Sequence, residues 1–192
     1  LTFILPLLFP PFSYSREIIT SASEYDYPPF CTTDRDGKAV GFSVDLLRAS
    51  LDIMDHDFSF HTGTWSEIKN LLEKEDIQAL PLVGRTPERE HVFDVTFPYM
   101  TLHGAIVVRE GTEGIEDISD LSGEKVAVMK GDNAEEFLRR GNYNIEIFTT
   151  DTFETALTDL SNGLYKAVIL QRLTAVRLIN DNSLLNLKIT GK

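Results

Sequence analysis

A length of 192 residues and a hydrophobic content of 42% suffice to bury the core of one domain or of two small lobes. With 30 acidic against 18 basic side chains the formal charge is -12, which repels phosphate backbones and anionic lipid surfaces and excludes nucleic acid as a partner. The one cysteine, Cys31, cannot close an internal disulfide and leaves the compartment open.

Leu1 to Phe12 is mostly apolar and ends in Ser13-Tyr14-Ser15, small residues two apart as at a signal-peptidase site. Residues 1–15 are therefore read as the remnant of an export signal, with an apolar arm packed on the fold as the alternative, and the chain as extracytoplasmic. Prolines at 6, 10 and 11 and the short length argue against a membrane-spanning helix there. Glu17 to Ser23 alternates as a short strand, and the proline- and aspartate-rich stretch 24–38 reads as loop. Val44, Leu47 and Leu51 recur at helical spacing, which predicts a helix from an N-cap at Ser43 to about Met54. Phe58 and Phe60 alternate as a strand, Trp65, Ile68, Leu71 and Leu72 form one stripe of the next helix, and Ile77 to Val83 reads as a buried strand.

A second series follows. Ala105 to Val108 is a strong strand, Gly111 to Gly114 a break, and Ile118 with Leu121 one helical turn. Lys125 to Met129, Ile145 to Phe148 and Ala167 to Leu170 read as strands. Helices are expected after Gly131-Asp132-Asn133, along Phe153, Ala156, Leu157 and Leu160, and over 172–179. Alternating strands and helices imply α/β architecture with open, parallel-rich sheets whose ligands sit at the carboxyl ends of the strands.

Side chains that could do chemistry are few. His56, His61, His91 and His103 show no metal spacing, no phosphate loop, dinucleotide fingerprint or nucleophile motif occurs, and neither an enzyme nor a cofactor is implied. Arg89 offers paired donors that match a carboxylate, yet Glu88, Glu90 and Asp94 lie close enough in sequence to pair with it on a solvated helix. Asp132 with Glu135 reads as a capping arrangement, while the free N–H groups of Gly131-Asp132-Asn133-Ala134 could face an anion.

Tyr27-Pro28-Pro29-Phe30, Asp36-Gly37, Gly41-Phe42-Ser43-Val44-Asp45-Leu46, Thr86-Pro87-Glu88-Arg89 and Phe97-Pro98-Tyr99, in this order and at these separations, resemble the extracytoplasmic solute-binding family that captures polar amino acids. The resemblance implies a fold of the periplasmic binding protein type II kind, with two α/β lobes around a ligand cleft. Residues 16–104 would form the first lobe, 105–187 the second, and 188–192 the start of a return to the first, whose closing segment is expected beyond Lys192. It further implies that Arg89 meets the ligand's carboxylate, with Thr86 beside it, that Tyr27 and Trp65 flank the ligand, and that Gly84, Asp132, Asn133 and Gln171 complete the site. Phe30, Phe97 and Tyr99 are read as structural. Departures matter too: Gln171 stands where the family carries an acid for an α-ammonium group, Pro81, Leu82 and Gly84 replace hydroxyl residues, and Lys166 replaces an aspartate. A carboxylate lacking an amine is thus the expected ligand, unless Glu24, Asp26 or Asp132 compensates. Replacing Arg89 by alanine is expected to abolish carboxylate binding and leave the empty protein's melting point nearly unchanged.

Leu80-Pro81-Leu82-Val83-Gly84-Arg85-Thr86 with Phe97-Pro98-Tyr99-Met100 is most similar to ectodomains of sensor histidine kinases. This implies a sensor that closes around its solute, flexes near Leu102–Ala105 and beyond Leu187, and reports through a membrane-anchored parent protein. A transporter's solute receptor is the alternative, and a cyclohexadienyl dehydratase-like enzyme the second.

Overall fold

The computed structural model describes residues 17–191, and the expected signal remnant or apolar arm at residues 1–15 lies outside them. Strand β1 (Ile18–Glu24) pairs in parallel with β5 (Asp57–Gly63), and helix α1 (Phe42–Ile53) makes the crossover between them. Helix α2 (Trp65–Glu73) follows on a capping box, in which the Thr64 side chain accepts from the Glu67 N–H and Glu67 returns a bond from the Thr64 N–H.

Three expectations for this part change. Ser43 is not the N-cap of α1. Gly41 holds that position at φ 119, and the Phe42 and Ser43 N–H groups donate to the carbonyls of Pro29 and Phe30, so the preceding loop caps the helix with its own backbone. A Cβ on Gly41 would sit 2.5 Å from the Phe30 carbonyl oxygen, which only glycine avoids. Ser43 is instead buried, and the Tyr99 hydroxyl lies 2.9 Å from its Oγ while donating to the Pro81 carbonyl at 2.8 Å.

Ile77 to Val83 forms no strand, only a single bridge between Ala79 and Ser21. The Gln78 N–H donates to the Thr20 carbonyl and its side-chain oxygen accepts from the Thr20 N–H, which satisfies β1 with a side chain where a strand would use backbone. The stretch 24–38 is more ordered than a loop. It carries β2 (Asp26–Tyr27) and β3 (Cys31–Thr33), which join β4 (Ala39–Val40) in a small antiparallel sheet. Its turn is fixed by Asp34, whose Oδ1 accepts from the N–H groups of Asp36 and Lys38.

A short helix α3 (Pro87–Glu90) leads to the second series: β6 (Gly104–Arg109), a 3-10 turn at Ile118–Leu121, β7 (Lys125–Met129), α4 (Asn133–Gly141), β8 (Glu146–Thr150), α5 (Phe153–Ser161), β9 (Ala167–Gln171), α6 (Arg172–Asp181) and β10 (Leu187–Gly191). Five strands form one sheet in the order β10-β6-β9-β7-β8, with β9, β7 and β8 parallel and β6 antiparallel to both its neighbours. Residues 188–191, expected to open the return to the first lobe, are thus the hydrogen-bonded edge of this sheet.

Alternation along the strands explains the layers. Val107, Ala127, Val168 and Leu170 point to the face covered by α5 and α6, whereas Ile106, Val108, Val126, Val128 and Ile169 meet Leu138 of α4 with Ile115 and Leu121. The α5 face continues into the first series, because Phe153 is fully buried with its ring centroid 5.4 Å from that of Tyr27. Burying such a ring is worth about 1.5–3 kcal/mol and ties the two halves together.

Candidate functional site

Between the two series lies a cavity of about 1210 Å³, lined from one side by Glu24, Tyr27, Trp65, Gly84 and Arg89 and from the other by Asp132, Asn133 and Gln171. Seven of the eight residues expected at the site line it. Thr86 does not: its hydroxyl is turned to Glu136 Oε2 at 3.0 Å.

Arg89 reaches the cavity because α3 is short and well started. Thr86 is its N-cap, accepting from the Arg89 N–H, and Pro87 follows at a position where its missing N–H costs nothing. The guanidinium is 3% exposed and each of its nitrogens donates: Nε to Glu136 Oε1 at 3.1 Å, Nη1 to the Gly84 carbonyl at 3.2 Å and Nη2 to the Gly131 carbonyl at 2.9 Å. Its Cζ lies 4.6 Å from the centroid of the Trp65 ring.

None of the acids near Arg89 in sequence pairs with it among the described residues. Glu90 bonds to Arg85, and Glu88 takes Arg140 of α4 at 2.8 and 3.0 Å. Glu136, 47 residues away on α4, was missed; the only sequence signal was its place in an acidic first turn, which reads as capping. Asp132 does cap α4, accepting from the Ala134 N–H, while Glu135 accepts from the Gly131 N–H at 2.6 Å and pairs with Arg139.

Trp65 touches both walls. It is 3% exposed, begins the buried stripe of α2, and donates from Nε1 to the Gly131 carbonyl at 2.6 Å. A Cβ on Gly84 would collide with the Asn133 side chain, so the absence of a side chain there allows this approach of the walls. Gln171 is the N-cap of α6, and its amide oxygen accepts from the Thr174 N–H and hydroxyl, which leaves the amide NH2 as a donor. It therefore cannot take over an acid's role toward an ammonium group.

Acids elsewhere can. Glu24 is buried in the cavity wall and its Oε1 has no hydrogen-bond partner; burial first, then the nearby Asp132 and Asp26 carboxylates, hold its pKa well above the ordinary value, against the opposing pull of Arg89. Asp132 is also raised, chiefly by burial. Asn133 Oδ1 is a second buried acceptor without a partner. These groups want donors that the protein does not supply.

Asp26 is not part of the lining. Its Oδ2 accepts from the Phe153 and Glu154 N–H groups, so one lobe caps α5 of the other. Burial lifts its pKa from 3.8 to about 6. The folded chain then keeps a proton that the unfolded chain loses, so this group's contribution to stability is fully present below 3.8 and lost as pH rises to about 6. Asp26→Asn, which retains an acceptor for both N–H groups, should remove about 2–3 kcal/mol of that decline. Urea unfolding from pH 4 to 7 checks it, and an unaltered slope would assign the decline to other groups.

Among the described residues no helix is long and apolar enough to cross a membrane, and no cluster of histidine, cysteine and acidic residues could hold a metal ion. Residues 19–167 match the model of the bacterial extracellular solute-binding proteins, family 3. The L-cystine-binding protein TcyJ of Escherichia coli strain K12 is 31% identical over 174 residues, which span 88% of this chain and 64% of that relative. In structure, a histidine kinase sensor domain with similarity to periplasmic binding proteins superposes with a TM-score of 0.87 at 27% identity, covering 92% of this chain and 77% of that one. An ancestral arginine-binding protein bound to glutamine gives 0.84 at 28% identity, with coverage of 93% and 80%. On its sequence match and on the two-lobed fold, the chain belongs to the bacterial extracellular solute-binding proteins of family 3.

Proposed function

We propose that this chain is the extracytoplasmic solute-binding part of a sensor, closing around a small amino acid whose positive group meets Glu24 and Asp132 and whose carboxylate is directed to Arg89. The observation that carries it is the buried, unpartnered Glu24 Oε1 in a cavity that also holds a guanidinium and two aromatic rings. A cation satisfies that oxygen, and a charge-assisted bond of this kind is worth about 1.5–3 kcal/mol. The ligand without an amine expected from Gln171 alone therefore gives way to one with both charges, because Glu24 and Asp132 supply what Gln171 lacks.

Relatives named for cystine and arginine support an amino-acid ligand, and the likeness to a kinase sensor domain favours signalling over delivery to a transporter. Tyr27 and Trp65 would flank the side chain while Asn133, Gly84 and Gln171 offer polar contacts. Closure would be driven only by the difference in affinity between the open and closed arrangements, through joints near 102–105 and beyond 187.

Calorimetric titration with L-arginine, L-glutamine and L-cystine tests the binding step, with saturable binding of at least one as the expected result. Failure of all three, and of a wider amino-acid panel, refutes it. Ligand-dependent phosphotransfer by the full-length protein tests sensing, and an unresponsive parent protein would leave the transport reading.

A further inference from the structure

The Glu136 carboxylate is held at both ends, one oxygen 3.1 Å from Arg89 Nε and the other 3.0 Å from the Thr86 hydroxyl. This is how a small carboxylate would be gripped by the N-cap and third helical residue of α3, except that the carboxylate here is tethered to α4 on the opposite wall. It is 16% exposed against 3% for the arginine, so the carboxylate is the more accessible member of the pair, at the edge of the cavity that Arg89 lines. Among the described residues no other acid is in ion-pair contact with that guanidinium: Glu88 and Glu90 are committed elsewhere, and Glu24 and Asp132 feel its charge without bonding to it.

We infer that Glu136 is a built-in competitor: in the empty protein its carboxylate occupies the Thr86–Arg89 grip, and a ligand's carboxylate binds there only after displacing it. The inference rests on the reading above only in making Arg89 the carboxylate site. Glu136 then sets specificity. A site free for a small fraction of the time binds more weakly by that fraction, so the tether weakens carboxylate ligands and leaves ligands without a carboxylate untouched. It also bridges the walls without a solute, alongside the Trp65–Gly131 and Glu88–Arg140 contacts.

Acetate, with neutral acetamide as the control, probes the grip at constant ionic strength and needs no knowledge of the natural ligand. Thermal melting of Glu136→Ala should rise with millimolar acetate and not with acetamide, whereas the parent should respond to neither. Equal responses of parent and variant, or a variant that ignores acetate, would overturn the inference. Glu136→Gln keeps the size and removes the charge, so it serves if the alanine variant does not fold. It should bind acetate at least tenfold more tightly than the parent, and unchanged affinity again overturns the idea. In the same variant L-arginine should bind roughly 10- to 100-fold more tightly while agmatine, which lacks the carboxylate, stays within about threefold. An acetate pattern as expected with no amino acid bound by any of the proteins would refute the proposed function and leave the competitor standing.

Discussion

Arg89→Ala should eliminate amino-acid binding and, in the same step, destabilise the empty protein by about 3–5 kcal/mol, the usual result of removing one partner from a buried ion pair. The sequence alone suggests an almost unchanged melting point. Burial decides otherwise: the guanidinium is 3% exposed, serves Glu136 and two backbone carbonyls, and is the cation that offsets Glu24 and Asp132. Without it Glu24 and Asp132 in the cavity wall, and Glu136 beside it, lose their common counter-charge. Urea denaturation and calorimetry on the same samples check both halves. A variant as stable as the parent would show that the ion pair is not held in solution, and retained binding would remove Arg89 from the site. Adding Glu136→Ala to Arg89→Ala should restore part of the lost stability, since the unpaired carboxylate goes as well.

Glu24→Gln should move stability and binding in opposite directions. Burial raises the Glu24 pKa above its ordinary value of 4.5, so the folded protein retains a proton that the unfolded chain releases. Its contribution is complete below 4.5 and declines as pH climbs through the raised folded value, and the neutral glutamine removes that decline. The variant should therefore be more stable than the parent near neutral pH. Affinity for a cationic amino acid should fall by about 1.5–3 kcal/mol, roughly ten- to hundredfold, because a neutral amide replaces the charged acceptor. For the parent, affinity should rise with pH as Glu24 ionises, and the variant should lose that component. Binding that is equally tight in both proteins would place the ligand's positive group elsewhere.

Periodicity made much of the second series legible. Lys125–Met129 appears as predicted, and the α5 stripe of Phe153, Ala156, Leu157 and Leu160 is wholly buried, because fully covered strands and amphipathic helices write their burial into local hydrophobicity. Ile77 to Val83 misled because its apolar residues serve the cavity wall and the core beside it, a use with no strand pairing and therefore no distinguishing period. Ser43 misled because the cap came from a loop carbonyl, and backbone partners carry no residue code. The candidate site shows the same division. Tyr27, Trp65 and Arg89 could be singled out by motif, but Glu136 could not, since its partner lies on the facing wall.

By itself the sequence determined the α/β alternation, the family and the positions of the short motifs, all of which are encoded by neighbours within a few turns of chain. Only the tertiary structure decided which charges meet: that Asp26 caps α5, that Glu24 is buried without a partner, and that Arg89 is answered by Glu136. Electrostatic pairing depends on distance and solvent access in space, and both were set when the two lobes came together.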